Sequence, residues 1–207
     1  MGSLVILSGP SGSGKTSIAR EVCKRIGLDK TYFSISTTTR PPREGEKNGI
    51  DYFFVTKDEF LEDIDNNQFL EWAEVHGNYY GTSLKQIKEA LNQGKIVFLD
   101  IDVQGFEAIN KIYPEIITSV FVTTKNKKVL IERLKKRGTE TEESLKIRLI
   151  NALNEMKKID EYDYLLINDK FEESVEILET IAKVSLIKAS KKNLENFIKE
   201  WNKWKIK

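Results

Sequence analysis

The sequence predicts an α/β fold wound around a parallel central sheet. Three observations predict it. A short apolar, β-favouring run, Leu4-Val5-Ile6-Leu7, leads through a glycine-rich turn into a segment with Ile18, Val22 and Ile26 at helical spacing. Strand-like and helix-like segments then alternate, the order that a parallel sheet with crossover helices requires. Two later runs, Ile96-Val97-Phe98-Leu99 and Tyr164-Leu165-Leu166-Ile167, are continuously apolar, as strands buried on both faces should be.

In order, residues 4–7 read as a buried strand, 17–26 as the first helix and 32–35 as a second strand. Residues 36–83 break the alternation. Their prolines, glycines and short aromatic strands, such as Tyr52-Phe53-Phe54-Val55, suggest a small inserted subdomain with its own sheet. A helix at 84–92 returns to the main pattern. Strands at 96–100 and 119–122, helices at 127–137 and 142–158, a strand at 164–167 and a helix at 173–187 complete it. The expected layout is a single domain with core segments 1–35, 84–132 and 150–187, an insertion at 36–83 and a lid at 133–149.

Residues 188–207 differ. They are lysine-rich, with Leu194, Phe197, Ile198 and Trp201 along one helical face. Such a stripe is expected to pack on the domain and leave the lysines in solvent. A membrane surface or a partner is the other use of a basic amphipathic helix.

Composition narrows the field. A chain of 207 residues with 40% hydrophobic and 31% charged residues suits one sizeable soluble domain. A net charge of +1 offers no bulk attraction to nucleic acid. The single cysteine, Cys23, cannot form an internal disulfide and reads as a structural thiol in the first helix. No apolar run is long enough to span a bilayer, and the first strand begins too early for a signal peptide, so a cytoplasmic address and no membrane partner are expected. The sequence leaves the protein a monomer or a homodimer.

The chemistry starts at Gly9-Pro10-Ser11-Gly12-Ser13-Gly14-Lys15-Thr16, a complete G-x-x-x-x-G-K-[ST] phosphate-binding loop. Its glycines let backbone N–H groups curl around phosphate oxygens, and the helix that follows adds partial positive charge. Lys15 would reach the β- and γ-phosphates of a nucleoside triphosphate, and the Thr16 hydroxyl would ligate Mg²⁺.

Two arginine groups stand out beyond the loop. Ser36-Thr37-Thr38-Thr39-Arg40-Pro41-Pro42-Arg43 places two guanidinium groups around a stiff Pro-Pro pair, fit for bidentate phosphate contacts or simply for a solvated basic loop. Arg133, Arg137 and Arg148 flank Gly138-Thr139-Glu140-Thr141-Glu142-Glu143. They fit a lid over transferring phosphates, or helix-surface charges paired with the nearby glutamates.

Together these segments resemble the guanylate kinases. The resemblance also takes in Gly45-Glu46, Asn48-Gly49-Ile50-Asp51-Tyr52, Phe69-Leu70-Glu71-Trp72, Gly77-Asn78-Tyr79-Tyr80-Gly81-Thr82 and Asp100-Ile101-Asp102-Val103-Gln104-Gly105, over about residues 3–187. It implies a three-layer P-loop nucleoside triphosphate hydrolase-like fold with a GMP-binding insertion and a short lid. The implied reaction passes the ATP γ-phosphoryl group to GMP with Mg²⁺. It also implies roles. Arg40 and Arg43, with the hydroxyls of Tyr52 and Tyr80, would hold the GMP phosphate. Ser36, Glu71, Thr82 and Asp102 would read guanine. Asp100 would act near Mg²⁺, Arg133, Arg137 and Arg148 would stabilise the transferred charge, and Asn168 would lie near the ATP base.

The chemistry agrees. Guanine offers adjacent N1–H and N2–H donors to a carboxylate such as Glu71, whereas adenine presents an acceptor at N1 and would leave that carboxylate badly paired. dGMP is expected as a second acceptor, since nothing in the sequence clearly reads the sugar 2′-hydroxyl. His76, the only histidine, reads as a surface turn residue. Two other readings stay open: a catalytically silent binding module of the same fold, and a kinase for another nucleoside monophosphate.

Overall fold

A computed structural model describes residues 2–75, 77–112, 114–136, 142–188 and 191–201. Arg137, the segment 138–141 and His76 lie outside the described residues. The main sheet is parallel throughout and contains β1 (Ser3–Ser8), β2 (Thr31–Phe33), β7 (Ile96–Asp100), β8 (Ile117–Thr123) and β9 (Tyr164–Ile167), in the order β2-β7-β1-β8-β9. The expected core fold is therefore present, with β1 and its glycine loop at the centre.

Side-chain alternation divides the core into two layers. Val5, Leu7, Ile96, Phe98, Val120 and Val122 point to one face. They meet α1 (Lys15–Ile26), through Ile18, Ala19, Val22 and Cys23, and α7 (Phe171–Ser185), through Val175, Leu178, Ile181 and Ala182. Leu4, Ile6, Val97, Leu99 and Phe121 point to the other. There they meet α3 (Leu84–Asn92) and α4 (Val103–Ile112), and Tyr162 stacks on Phe106 at 4.2 Å. Burial pushes the Cys23 thiol up to about 11, so it is an inert packing group.

The insertion has its own sheet. It contains β3 (Thr37–Thr38), β4 (Phe53–Phe54), β5 (Phe69–Val75) and β6 (Asn78–Ser83), in the order β4-β3-β6-β5. One helix, α2 (Lys57–Asp65), covers it. Its start is set by a capping box: the Thr56 hydroxyl accepts from the Glu59 N–H, and the Glu59 carboxylate accepts from the Thr56 N–H. Phe60, fully buried, then stacks against Phe69 and Tyr79. A helix, α5 (Lys127–Lys136), enters the segment expected to form a lid. The return helix α6 (Glu142–Glu155) ends in a 3₁₀ turn at Met156–Glu161 where the sequence suggested one longer helix.

Two expectations give way. β9 is the sheet edge, and Tyr164, Leu165 and Ile167 are about half exposed rather than buried. A four-residue apolar run cannot distinguish an edge from a centre, because that depends on which strand pairs beyond it. The second concerns α8 (Lys191–Trp201). Its stripe does not pack on the core: Phe197 is 61% and Trp201 70% exposed, and the two rings lie against each other at 5.8 Å. Helical spacing shows that a face is apolar; it does not supply a surface to cover it.

Candidate active site

The sheet order brings the chemistry together. β7 runs parallel beside β1, with Asp100 in register with Leu7, so Asp100 arrives at the mouth of the phosphate loop. The Thr16 hydroxyl donates to its Oδ2 at 2.5 Å. Gly14 caps α1 in the left-handed region (φ 97°). A Cβ there would lie 2.4 Å from the Asn168 Nδ2, so a side chain is excluded both by backbone and by neighbour. The Lys15 ammonium lies back on the loop, donating to the carbonyls of Gly9 (2.6 Å) and Pro10 (3.3 Å), with Asp100 at 3.9 Å.

Two residues brace this loop from outside the cleft. The Asn168 amide, on a residue only 4% exposed, donates to the Ser13 carbonyl at 2.7 Å. Arg133 donates to the same carbonyl (3.2 Å) and to the carbonyl of Asn168 (2.8 Å). Both residues therefore hold loop backbone. Arg148, on α6, reaches into the cleft and donates to the Ser11 hydroxyl at 2.9 Å.

The cleft itself has a volume of about 520 Å³ and runs from the loop to the insertion sheet. Its middle is basic. Arg40 meets both carboxylate oxygens of Glu46 at 2.9 Å and lies over the rings of Tyr52 (5.2 Å) and Phe54 (5.7 Å). Glu46 also accepts the Arg43 N–H at 2.7 Å, so one carboxylate arranges both arginines. Burial, then the like charges of Arg40 and Arg148, push the Arg43 guanidinium down. A group of cations held this close is what an anion would relieve. Burial, with Asp100 nearby, pushes the Tyr52 hydroxyl up to about 12, so it stays a donor.

The far end is acidic. Glu71 and Thr82 are cross-strand partners on β5 and β6, and the Thr82 hydroxyl donates to Glu71 Oε1 at 2.5 Å. Burial, opposed by that bond and aided by Asp102, pushes the Glu71 carboxyl up to about 7. The Gly105 N–H holds Asp102 at 2.8 Å. A Cβ on Gly105 would come within 2.7 Å of Glu71 Oε2, so that glycine permits the two carboxylates to converge. Ser36 and Tyr80 line the same cleft. Thr82, 1% exposed, stands behind Glu71 and positions it.

Sequence reasoning singled out neither Glu46 nor Glu155 for a role. Glu46 holds Arg40 and the Arg43 N–H, and Glu155 lines the cleft. Ser144, Arg148 and Glu155 all line the cleft from α6, and their helical spacing is the signal that could have found Glu155. Among the described residues there is no cluster of three or more His, Cys, Asp or Glu side chains able to hold a metal. The Thr16 hydroxyl and Asp100 carboxylate are hard oxygen donors, suited to Mg²⁺ that keeps waters and phosphate oxygens as its other ligands.

Comparison with known proteins points to the guanylate kinases. The family model for guanylate kinase matches residues 1–184. A guanylate kinase from Wolinella succinogenes is 49% identical over 200 residues, covering 97% of this chain and 92% of that protein. One from Helicobacter pylori is 50% identical over 198 residues, covering 96% and 95%. The crystal structure of guanylate kinase from Anaplasma phagocytophilum matches with a TM-score of 0.73 at 30% identity, over 91% of this chain and 88% of that one. Among the described residues no helix is long and apolar enough to cross a membrane.

Proposed function

From the premise that the chain belongs to the guanylate kinase family, the phosphotransferases that pass the γ-phosphoryl group of ATP to GMP, we propose how its own residues divide the work. The observation that carries the assignment is the single cleft with a phosphate loop at one end, convergent carboxylates at the other and arginines between.

Guanine docks at the acidic end. The Glu71 carboxylate accepts from guanine N1–H and N2–H, with Asp102 and Ser36 beside it and Thr82 holding Glu71 in place. The GMP phosphate lies among Arg40, Arg43 and the hydroxyls of Tyr52 and Tyr80, where Glu46 keeps Arg40 oriented. ATP places its phosphates in the glycine loop. Lys15 then exchanges the carbonyls of Gly9 and Pro10 for phosphate oxygens. A GMP phosphate oxygen attacks the γ-phosphorus in line, the bond to the β–γ bridging oxygen breaks, and ADP leaves.

No side-chain nucleophile or base is needed, because the attacking oxygen is already anionic. The protein supplies alignment and positive charge through Lys15, Arg148 and, by the family pattern, Arg137. Arg133 and Asn168 serve by fixing the loop backbone. Mg²⁺ would be held by Thr16 directly and by Asp100 directly or through water. When bound it neutralises charge on the β- and γ-phosphate oxygens. dGMP is accepted as well.

The test is an ADP-release assay with Mg-ATP, comparing GMP, dGMP, AMP, UMP and dTMP as acceptors. Turnover confined to the guanine nucleotides, and lost or relaxed in Glu71→Ala, is the expected result. Equal turnover of AMP by the wild type would overturn the role of Glu71, and no turnover of any acceptor by the folded protein would overturn the function.

A further inference from the structure

Glu155 is the last residue of α6, and its side chain forms part of the cleft wall. Its Oε2 is buried and has no hydrogen-bond partner among the described residues. The other carboxylates of the cleft are provided for. Glu71 accepts from Thr82, Asp102 from the Gly105 N–H, and Asp100 from Thr16. An unpaired buried carboxylate oxygen carries a free-energy cost that a donor arriving with a ligand would remove. The terminal torsion of a glutamate is soft, so a small rotation turns that oxygen toward an occupant of the cleft.

Its surroundings narrow the choice of donor. Burial raises the Glu155 carboxyl, Lys15 opposes that rise and Asp102 adds to it. Glu155, Lys15 and Asp102 line the same cleft, along which an acceptor nucleotide would run from base through sugar to phosphate. The phosphates bring no donors, and the guanine donors are met by Glu71 and Asp102. The donors left on the acceptor are its ribose hydroxyls.

Resting on the guanylate kinase reading of the cleft, we infer that Glu155 accepts a hydrogen bond from a ribose hydroxyl of the acceptor nucleotide and so reads its sugar. This adds sugar recognition to a site whose other contacts hold base and phosphate.

The experiment compares GMP, dGMP and 2′,3′-dideoxy-GMP as acceptors, at saturating Mg-ATP, for the wild type, Glu155→Gln and Glu155→Ala. The wild type should prefer GMP to the dideoxy acceptor. Alanine should lower kcat/KM for GMP about tenfold or more, mostly through KM, and change the dideoxy acceptor by less than about twofold. Glutamine keeps an acceptor oxygen and should fall between, and it keeps the test open if the alanine variant does not fold. A preference that vanishes already at dGMP assigns the 2′-hydroxyl; one that vanishes only at the dideoxy acceptor assigns the 3′-hydroxyl. Equal loss on all three acceptors, as expected if Glu155 only positions Lys15, overturns the inference. So does a sugar preference unchanged by the substitution. A wild type inactive on GMP would strike the function itself, whereas an active one with unaltered preference strikes only Glu155.

Discussion

Thr82 donates its hydroxyl to Glu71 across the β5–β6 ladder, and Glu71 faces Asp102, the residue just before α4. The threonine is buried, with its hydroxyl turned to the carboxylate. Glu71 is thus a carboxylate whose orientation is set by Thr82 and whose charge is opposed by burial.

GMP recognition should depend on pH through Glu71. Its carboxyl is pushed up to about 7, and the guanine donors need the ionised form. The KM for GMP should fall as pH rises from about 6 and level off above about 7.5, with a proton released on binding. Glu71→Gln should flatten this profile and lower kcat/KM for GMP about a hundredfold. A profile unchanged in the variant would assign the titration elsewhere.

Stability of the free protein should run the opposite way. The folded Glu71 carboxyl titrates near 7 and the ordinary value is 4.5, so in that window the folded state binds the extra proton. Stability contributed by this group is present at low pH and is lost as pH rises from 4.5 toward 7. Urea midpoints of wild type and Glu71→Gln at either end of the window check the sign: the variant should gain relative to wild type at the higher pH.

Glu46→Gln should weaken GMP binding without stopping chemistry. The substitution removes the charge that arranges Arg40 and the Arg43 backbone. KM for GMP should rise about tenfold and kcat should change less, because the lost interaction acts on acceptor placement. Steady-state kinetics at saturating ATP give both numbers.

Asn168→Ala should be felt at the ATP site although Asn168 does not line the cleft. It removes the amide that braces the Ser13 carbonyl. A cost of about 1–2 kcal/mol in stability is expected, together with a higher KM for ATP and little change for GMP. Thermal unfolding and the two KM values separate the effects.

Truncation after Lys188 should leave the catalytic domain whole. The exposed stripe of α8 buries little against the core, and Lys188, which donates to the Ile117 carbonyl, is kept. A stability change within about 0.5 kcal/mol and unchanged kcat are expected. A large loss of stability would show that α8 packs in solution.

Much of the molecule was legible because its signals are local. The phosphate loop is contiguous, and its glycines, lysine and threonine have backbone and charge roles that need no distant partner. The alternation of apolar runs with helical segments gave the parallel class for the same reason, since both patterns are written in consecutive residues. α2 and α4 were not among the helices read from the sequence, where the turn and aromatic residues around them stood out instead.

What only the tertiary structure decided depends on which residues meet across long stretches of chain. Thr16 and Asp100 are 84 residues apart and meet because β7 pairs beside β1 in one register. Glu155 enters the cleft because α6 folds back over the loop. Asn168 supports the loop backbone because β9 ends beneath it, and that same strand lies at the sheet edge with its apolar side chains half exposed. Local sequence carries backbone preference and periodicity, and so it determined the chemistry of the phosphate loop and the class of fold. Strand order and helix return bring distant atoms to hydrogen-bonding distance, and so they decided which side chains share the cleft and which hold others in place.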